Sequence, residues 1–127
     1  DFNESWVACA DINYNSSDVD ASMIPIYHYL VANGNGLHMT IYSGDDDSVC
    51  STMSVQQWIY DQGWTMQTSW TEWLYQTENN GEQLGGYYVR FKENVNFITI
   101  HTAGHETPFF KPLKTELVLQ KFLQNDI

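Results

Sequence analysis

The sequence predicts an α/β fold in which parallel strands are flanked by helices, and two observations carry that prediction. Two near-continuous apolar segments, Leu37 to Tyr42 and Asn94 to His101, stand in the chain; little polar alternation is the mark of strands covered on both faces. Helix-periodic segments precede, separate and follow them, an order that favours parallel neighbours with helices packed on the sheet. Two parallel strands and three helices leave the sheet short of partners on its open side. The predicted fold is therefore incomplete and needs further protein beside it.

Each element follows from local chemistry. Residues 1 to 21 are polar, rich in Asn, Asp and Ser, and read as an extended lead-in. From Ser22 the pattern changes. Ser22 is suited to cap a helix, Pro25 is tolerated in the first turn, and Met23, Ile26, Tyr27, Leu30 and Val31 recur at helical spacing. The run Asn33-Gly34-Asn35-Gly36 stops that helix. The strand from Leu37 ends at the acidic turn Asp45-Asp46-Asp47.

A second helix is predicted from about Ser51 to Gln62, with Met53, Val55, Trp58 and Ile59 toward the core and Gly63 ending it. Residues 64 to 86, with Trp64, Trp70, Trp73, Asn79-Asn80-Gly81 and Gly85-Gly86, read as irregular, followed by a short hairpin around Tyr87 to Phe91. After the strand from Asn94 to His101, Leu113, Leu117, Val118 and Phe122 mark a closing amphipathic helix. No internal repeat or low-complexity segment interrupts this order.

Composition narrows the function. With 127 residues, 43% of them hydrophobic and 15% aromatic, the chain has the material for a packed core and the length of one domain. A net charge of −11 repels phosphate backbones, so a nucleic-acid partner is not expected. The longest apolar runs, such as Val95 to Ile100, are too short to span a bilayer, so no membrane anchor is expected. The chain opens on Asp1 rather than Met, which reads as a processed or partial chain. Two acceptor triplets, at Asn3 and Asn15, point to glycosylation on a secretory route.

The chemistry concentrates beyond the carboxyl ends of the two apolar strands, where ligands and catalytic groups gather in α/β sheets. Asp45-Asp46-Asp47 follows the first strand, and His101-Thr102-Ala103-Gly104-His105 follows the second. An aspartate that holds an imidazole in one tautomer and stabilises its protonated form is half of a nucleophilic triad. Asp followed by His, with the serine earlier in the chain, is the α/β-hydrolase order. No serine here lies in a Gly-x-Ser-x-Gly elbow, so the nucleophile is expected elsewhere.

Duller readings stand beside that one. An acidic triplet is often a solvated charge cluster, and a divalent-cation site needs further oxygen ligands. His101 and His105 have the spacing of a zinc grip on a helix, but Gly104 and the preceding strand argue against a helix there. His28 and His38 read as ordinary structural or surface histidines. No cofactor and no metal are expected. Cys9 and Cys50 admit one internal disulfide, and their different settings argue against it.

At these residues the chain resembles the serine carboxypeptidase family over nearly its whole length. The carriers are Trp6 with Cys9, the run Ser22 to Tyr27, Tyr42 to Asp47, Trp70 with Trp73, Gly85-Gly86-Tyr87, and Ala103 to Pro108. The resemblance implies an α/β-hydrolase fold of which residues 1–127 are the carboxyl-terminal segment, completed by a missing amino-terminal portion. It implies Asp47 as triad acid and His105 as triad base in an enzyme that removes carboxyl-terminal residues from peptides at acidic pH.

The resemblance also implies partners and neighbours of the site. An amino-terminal segment or chain of the same enzyme would carry the catalytic serine, the oxyanion hole and the network that grips the substrate carboxylate. Cys9 would form a disulfide to it, and the chain would be the smaller of two chains left by maturation. Cys50 would lie near the substrate pocket, either as a small buried apolar group or in a functional role. Glu106 would border the pocket for the released residue and favour a basic side chain. The compartment implied is secreted or the lysosomal or vacuolar lumen, and the whole enzyme is expected as a possible homodimer.

Two other functions stay open on the sequence. One is a family member diverted to acyl transfer or hydroxynitrile lysis. The other is a non-catalytic binding module, which would need Trp64, Trp70 and Trp73 exposed on one face.

Overall fold

A computed structural model describes Val7 and residues 15–126 of the chain. Of the predicted lead-in only its last part, residues 15–21, and Val7 are covered; Asn3, Trp6 and Cys9 lie outside the described residues. The elements are α1 (Ile24–Asn33), β1 (Met39–Gly44), α2 (Thr52–Tyr60), β2 (Thr71–Thr77), β3 (Gly81–Phe91), β4 (Val95–Ile100), α3 (Thr107–Phe110) and α4 (Pro112–Leu123).

They build a mixed α/β structure on one four-stranded sheet of order β1-β4-β3-β2. The two predicted strands do pair in parallel, from Met39 with Val95 to Gly44 with Ile100. All six residues of β4 are buried, because helices cover both faces. On one face Val89, Phe91, Val95 and Phe97 pack with Ile59 of α2 and with half-buried Val31 of α1. On the other, Ile98, Ile100 and Trp73 pack with Val118 of α4. Alternate residues of β4 thus feed opposite cores, as strand geometry requires. Burying each such side chain stabilises the fold by roughly 1.5–3 kcal/mol.

The helix starts follow the sequence closely. The Ser22 hydroxyl accepts the Ile24 amide at 3.3 Å, and Pro25 sits in the first turn of α1. Helix α2 is tied to the end of β1, since the Thr52 hydroxyl donates to the Gly44 carbonyl at 2.7 Å. Tyr27 of α1 stacks on Trp58 of α2 with ring centroids 5.1 Å apart.

The stretch predicted as irregular is the main correction. Residues 71–91 form an antiparallel hairpin, β2 with β3, and β3 then pairs antiparallel with β4. Most of the sheet's pairings are therefore antiparallel, and the hairpin fills the side of β4 that the prediction left open. Trp73 and Tyr75 alternate with exposed Glu72 and Gln76, a period-two pattern hidden by the neighbouring glycines and tryptophans. Gly85 and Gly86 look like strand breakers but are a cradle. A Cβ on Gly85 would strike the Trp73 ring, and one on Gly86 would strike the Thr99 carbonyl. The register shift between Trp73 and Leu74 accommodates the extra residue.

Among the described residues β1 has no strand on its outer edge. Beside that edge a groove of about 550 Å³ runs along α4, lined by Thr40, Tyr42, Pro108, Val118, Leu119 and Phe122. Tyr42 is 50% exposed there. No helix among the described residues is long and apolar enough to cross a membrane.

Candidate active site

Parallel register places the carboxyl ends of β1 and β4 side by side, so the two polar turns meet. The Asp45 amide donates to the Ile100 carbonyl at 3.2 Å, and the Asp46 amide to the Ala103 carbonyl at 3.0 Å. Gly44 makes the approach possible, because a Cβ there would collide with the backbone of Ala103 and Gly104. A backbone contact this close tolerates only glycine.

Asp47 and His105, predicted as a pair, are brought together: His105 Nδ1 lies 3.0 Å from Asp47 Oδ2. An ionised carboxylate only accepts, so the proton of this bond is on Nδ1, which leaves Nε2 as the outer ring nitrogen. The other carboxylate oxygen, Oδ1, accepts the amides of Val49 at 2.8 Å and Cys50 at 2.9 Å. These bonds turn the chain from β1 into α2 and lock the carboxylate. Its side chain is 6% exposed, whereas that of His105 is 50% exposed.

Burial pushes the Asp47 carboxyl up, but the Cys50 amide, the His105 ring and the Val49 amide outweigh it. The carboxyl is held below its ordinary value of 3.8. The result is a fixed anion behind an imidazole whose outer nitrogen faces outward. Among the described residues His105 has no second hydrogen-bond partner, and no serine is bonded to it.

A second pair escaped the sequence reading. His101 Nδ1 lies 2.6 Å from Asp45 Oδ2, and Asp45 Oδ1 accepts the Thr102 amide. The signal was present in two parallel turns of matching spacing, Asp45 with Asp47 and His101 with His105. Each histidine has its own aspartate, and the two do not converge as the zinc grip would need. Asp46 enters the junction through its backbone amide.

The other predicted residues fall around this centre or away from it. Cys50 is an exposed free thiol joined to Asp47 through its amide, and Glu106 is exposed next to His105. Asn15 is exposed, and its side chain accepts the Ser17 amide at 3.1 Å. His28 bonds Gln62 at 2.9 Å, and His38 bonds Asn125 at 3.2 Å, both as structural groups. Trp73 is buried on one sheet face while Trp64 and Trp70 pack half-buried on the other, so the three share no exposed face.

A family profile described as serine carboxypeptidase matches residues 1–125. Among curated relatives from Arabidopsis thaliana, serine carboxypeptidase-like 22 is 37% identical over 93% of this chain, and the match spans 24% of that protein. Serine carboxypeptidase-like 26 is 36% identical over 94% of the chain and 25% of its own length. Serine carboxypeptidase 24 is 34% identical over 93% of the chain and 24% of its own length. The chain thus spans about a quarter of these relatives.

Proposed function

Because this chain belongs to the serine carboxypeptidase family, we propose that it supplies the acid and base of the triad in an enzyme releasing carboxyl-terminal residues from peptides. The observation that carries the reading is the Asp47–His105 bond at the carboxyl ends of two parallel strands, with Nε2 left free. His105 Nε2 takes the proton of a serine hydroxyl as its oxygen attacks the scissile carbonyl, then delivers it to the leaving amine; Asp47 holds the ring and stabilises the imidazolium. Activity at acidic pH is part of the same reading, and it requires Asp47 to stay ionised, the direction in which its carboxyl is shifted.

The serine, the oxyanion hole and the grip on the substrate carboxylate come from an amino-terminal segment of the same enzyme. The unpaired edge of β1 and the apolar groove beside it support docking of that segment here, since a bare edge strand and an open apolar face both favour cover. Cys9 joins the two by a disulfide. Cys50 and Glu106 border the substrate, with Glu106 favouring a basic released residue. Asn3 and Asn15 carry glycans, the compartment is secreted or lysosomal or vacuolar, and the whole enzyme is a homodimer.

The test is the intact mass of native protein with and without reductant, joined to labelling by a serine-reactive probe. Release of a larger labelled partner, with this chain unlabelled, is the expected result. Peptide hydrolysis by the isolated chain would overturn the reading.

A further inference from the structure

Asp45 is not explained by the proposed triad, yet its carboxylate has two partners of its own. His101 Nδ1–H donates to Oδ2 at 2.6 Å, and the Thr102 amide donates to Oδ1. Thr102 has φ +61°, a left-handed conformation that a β-branched residue adopts only under strain. It stands where the chain leaves β4 and turns toward His105. Something must hold it there.

The backbone on either side of that turn is otherwise hydrogen-bonded. The Ala103 carbonyl is fixed by the Asp46 amide, and the His101 amide donates to the Gly85 carbonyl at 2.8 Å. Lys114 of α4, 8% exposed, donates to the His101 carbonyl at 2.9 Å. These bonds grip His101 and Ala103 on either side of Thr102. The Thr102 amide itself is held by Asp45, the residue that opens the neighbouring turn carrying Asp47.

We propose that Asp45 is a positioning residue: by accepting hydrogen bonds from the His101 ring and the Thr102 amide, it holds the strained turn after β4 that sets His105 against Asp47. His101 is its partner in the clamp and does not act as the base. This inference rests on the carboxypeptidase reading, and it adds a residue that touches neither substrate nor reacting atoms.

The experiment compares Asp45→Ala, Thr102→Gly and the double variant in the full-length enzyme, with Asp45→Asn in reserve if the alanine variant does not fold. Misplacing a catalytic group by a fraction of its working distance lowers turnover, so Asp45→Ala is expected to lower kcat about tenfold to hundredfold. KM should change by less than about twofold. Glycine relieves the strain at position 102, so Thr102→Gly should restore part of kcat in the Asp45→Ala background and give no such gain in the native one. A readout independent of activity is the low-field proton signal of His105 Nδ1–H, identified by its loss in His105→Ala; it should shift or broaden in Asp45→Ala.

An unchanged kcat and an unchanged His105 signal in Asp45→Ala would overturn the proposal. So would a loss in His101→Ala as large as that in His105→Ala, which would make His101 a base. If the native full-length protein cleaves no peptide, the carboxypeptidase reading fails, and the proton signal alone decides whether Asp45 sets His105.

Discussion

The amide of Asp46 donates to the carbonyl of Ala103 at 3.0 Å, a backbone bond that fastens the turn after β1 to the turn after β4. Asp47 stands one residue beyond the first partner and His105 two beyond the second. Main-chain geometry therefore brings the two turns within reach, and side-chain bonds complete the placement.

Gly44→Ala should separate the two turns. Its Cβ would meet the backbone of Ala103 and Gly104, which cannot swing aside as a flexible side chain can. Overpacking of this kind costs about 1–3 kcal/mol, measurable by urea unfolding of the full-length protein. Activity should fall further than stability, because His105 moves with the displaced turn. Native turnover in this variant would show that the contact is dispensable.

Asp47→Asn keeps the shape of the side chain but removes its charge and offers an amide donor toward the ring. The His105 tautomer then loses its reason to place the proton on Nδ1. In the full-length enzyme kcat should fall about ten-thousandfold with KM nearly unchanged. Steady-state kinetics on a peptide substrate, together with an unchanged circular dichroism spectrum, checks both halves of the expectation.

The pH dependence of stability should carry the mark of Asp47. Its folded-state value lies below the ordinary 3.8, so the unfolded chain binds more protons between the two values and stability falls as pH drops through them. The contribution is complete above the unfolded value and gone below the folded one. The difference in unfolding free energy between native and Asp47→Asn protein should shrink as pH falls below about 3.8. A difference that stays constant through that window would contradict the assignment.

Trp73 holds the hairpin to the site-bearing strand. Its indole fills the space left by Gly85 and Gly86, and its Nε1–H donates to the Thr99 carbonyl at 3.0 Å. Trp73→Ala should destabilise by about 3–5 kcal/mol, and Trp73→Phe by less, because it loses the hydrogen bond, about 1 kcal/mol, together with the part of the ring that lies over Gly85. Thermal or chemical unfolding of both variants gives the comparison. Equal losses would mean that the bond, not the ring, carries the effect.

Several features of this protein were legible in the residues alone. The unbroken apolarity of Val95 to Ile100 marked a strand covered on both faces, and it does pair in parallel with β1, although a hairpin as well as a helix lies between them. Ser22 and Pro25 marked a helix start within two residues, although Met23 and not Ser22 stands at the N-cap. Asp47 and His105 were legible as members of two polar turns at strand ends, made specific by resemblance to a family. The hairpin over residues 71–91 was not: Gly85 and Gly86 read locally as breaks, and only the Trp73 ring lying across them shows why a strand runs through.

Which aspartate serves which histidine was likewise beyond the sequence. Asp45, Asp46 and Asp47 are chemically alike, and so are His101 and His105. The sequence determined that an acid turn and a histidine turn exist and in what order. Only the tertiary structure paired Asp45 with His101, Asp47 with His105 and the Asp46 amide with Ala103. The reason is physical: Asp45 and Asp47, two apart, and His101 and His105, four apart, are equivalent by sequence spacing, and the register of β1 on β4 with the Asp46–Ala103 bond decides which of them stand opposite each other.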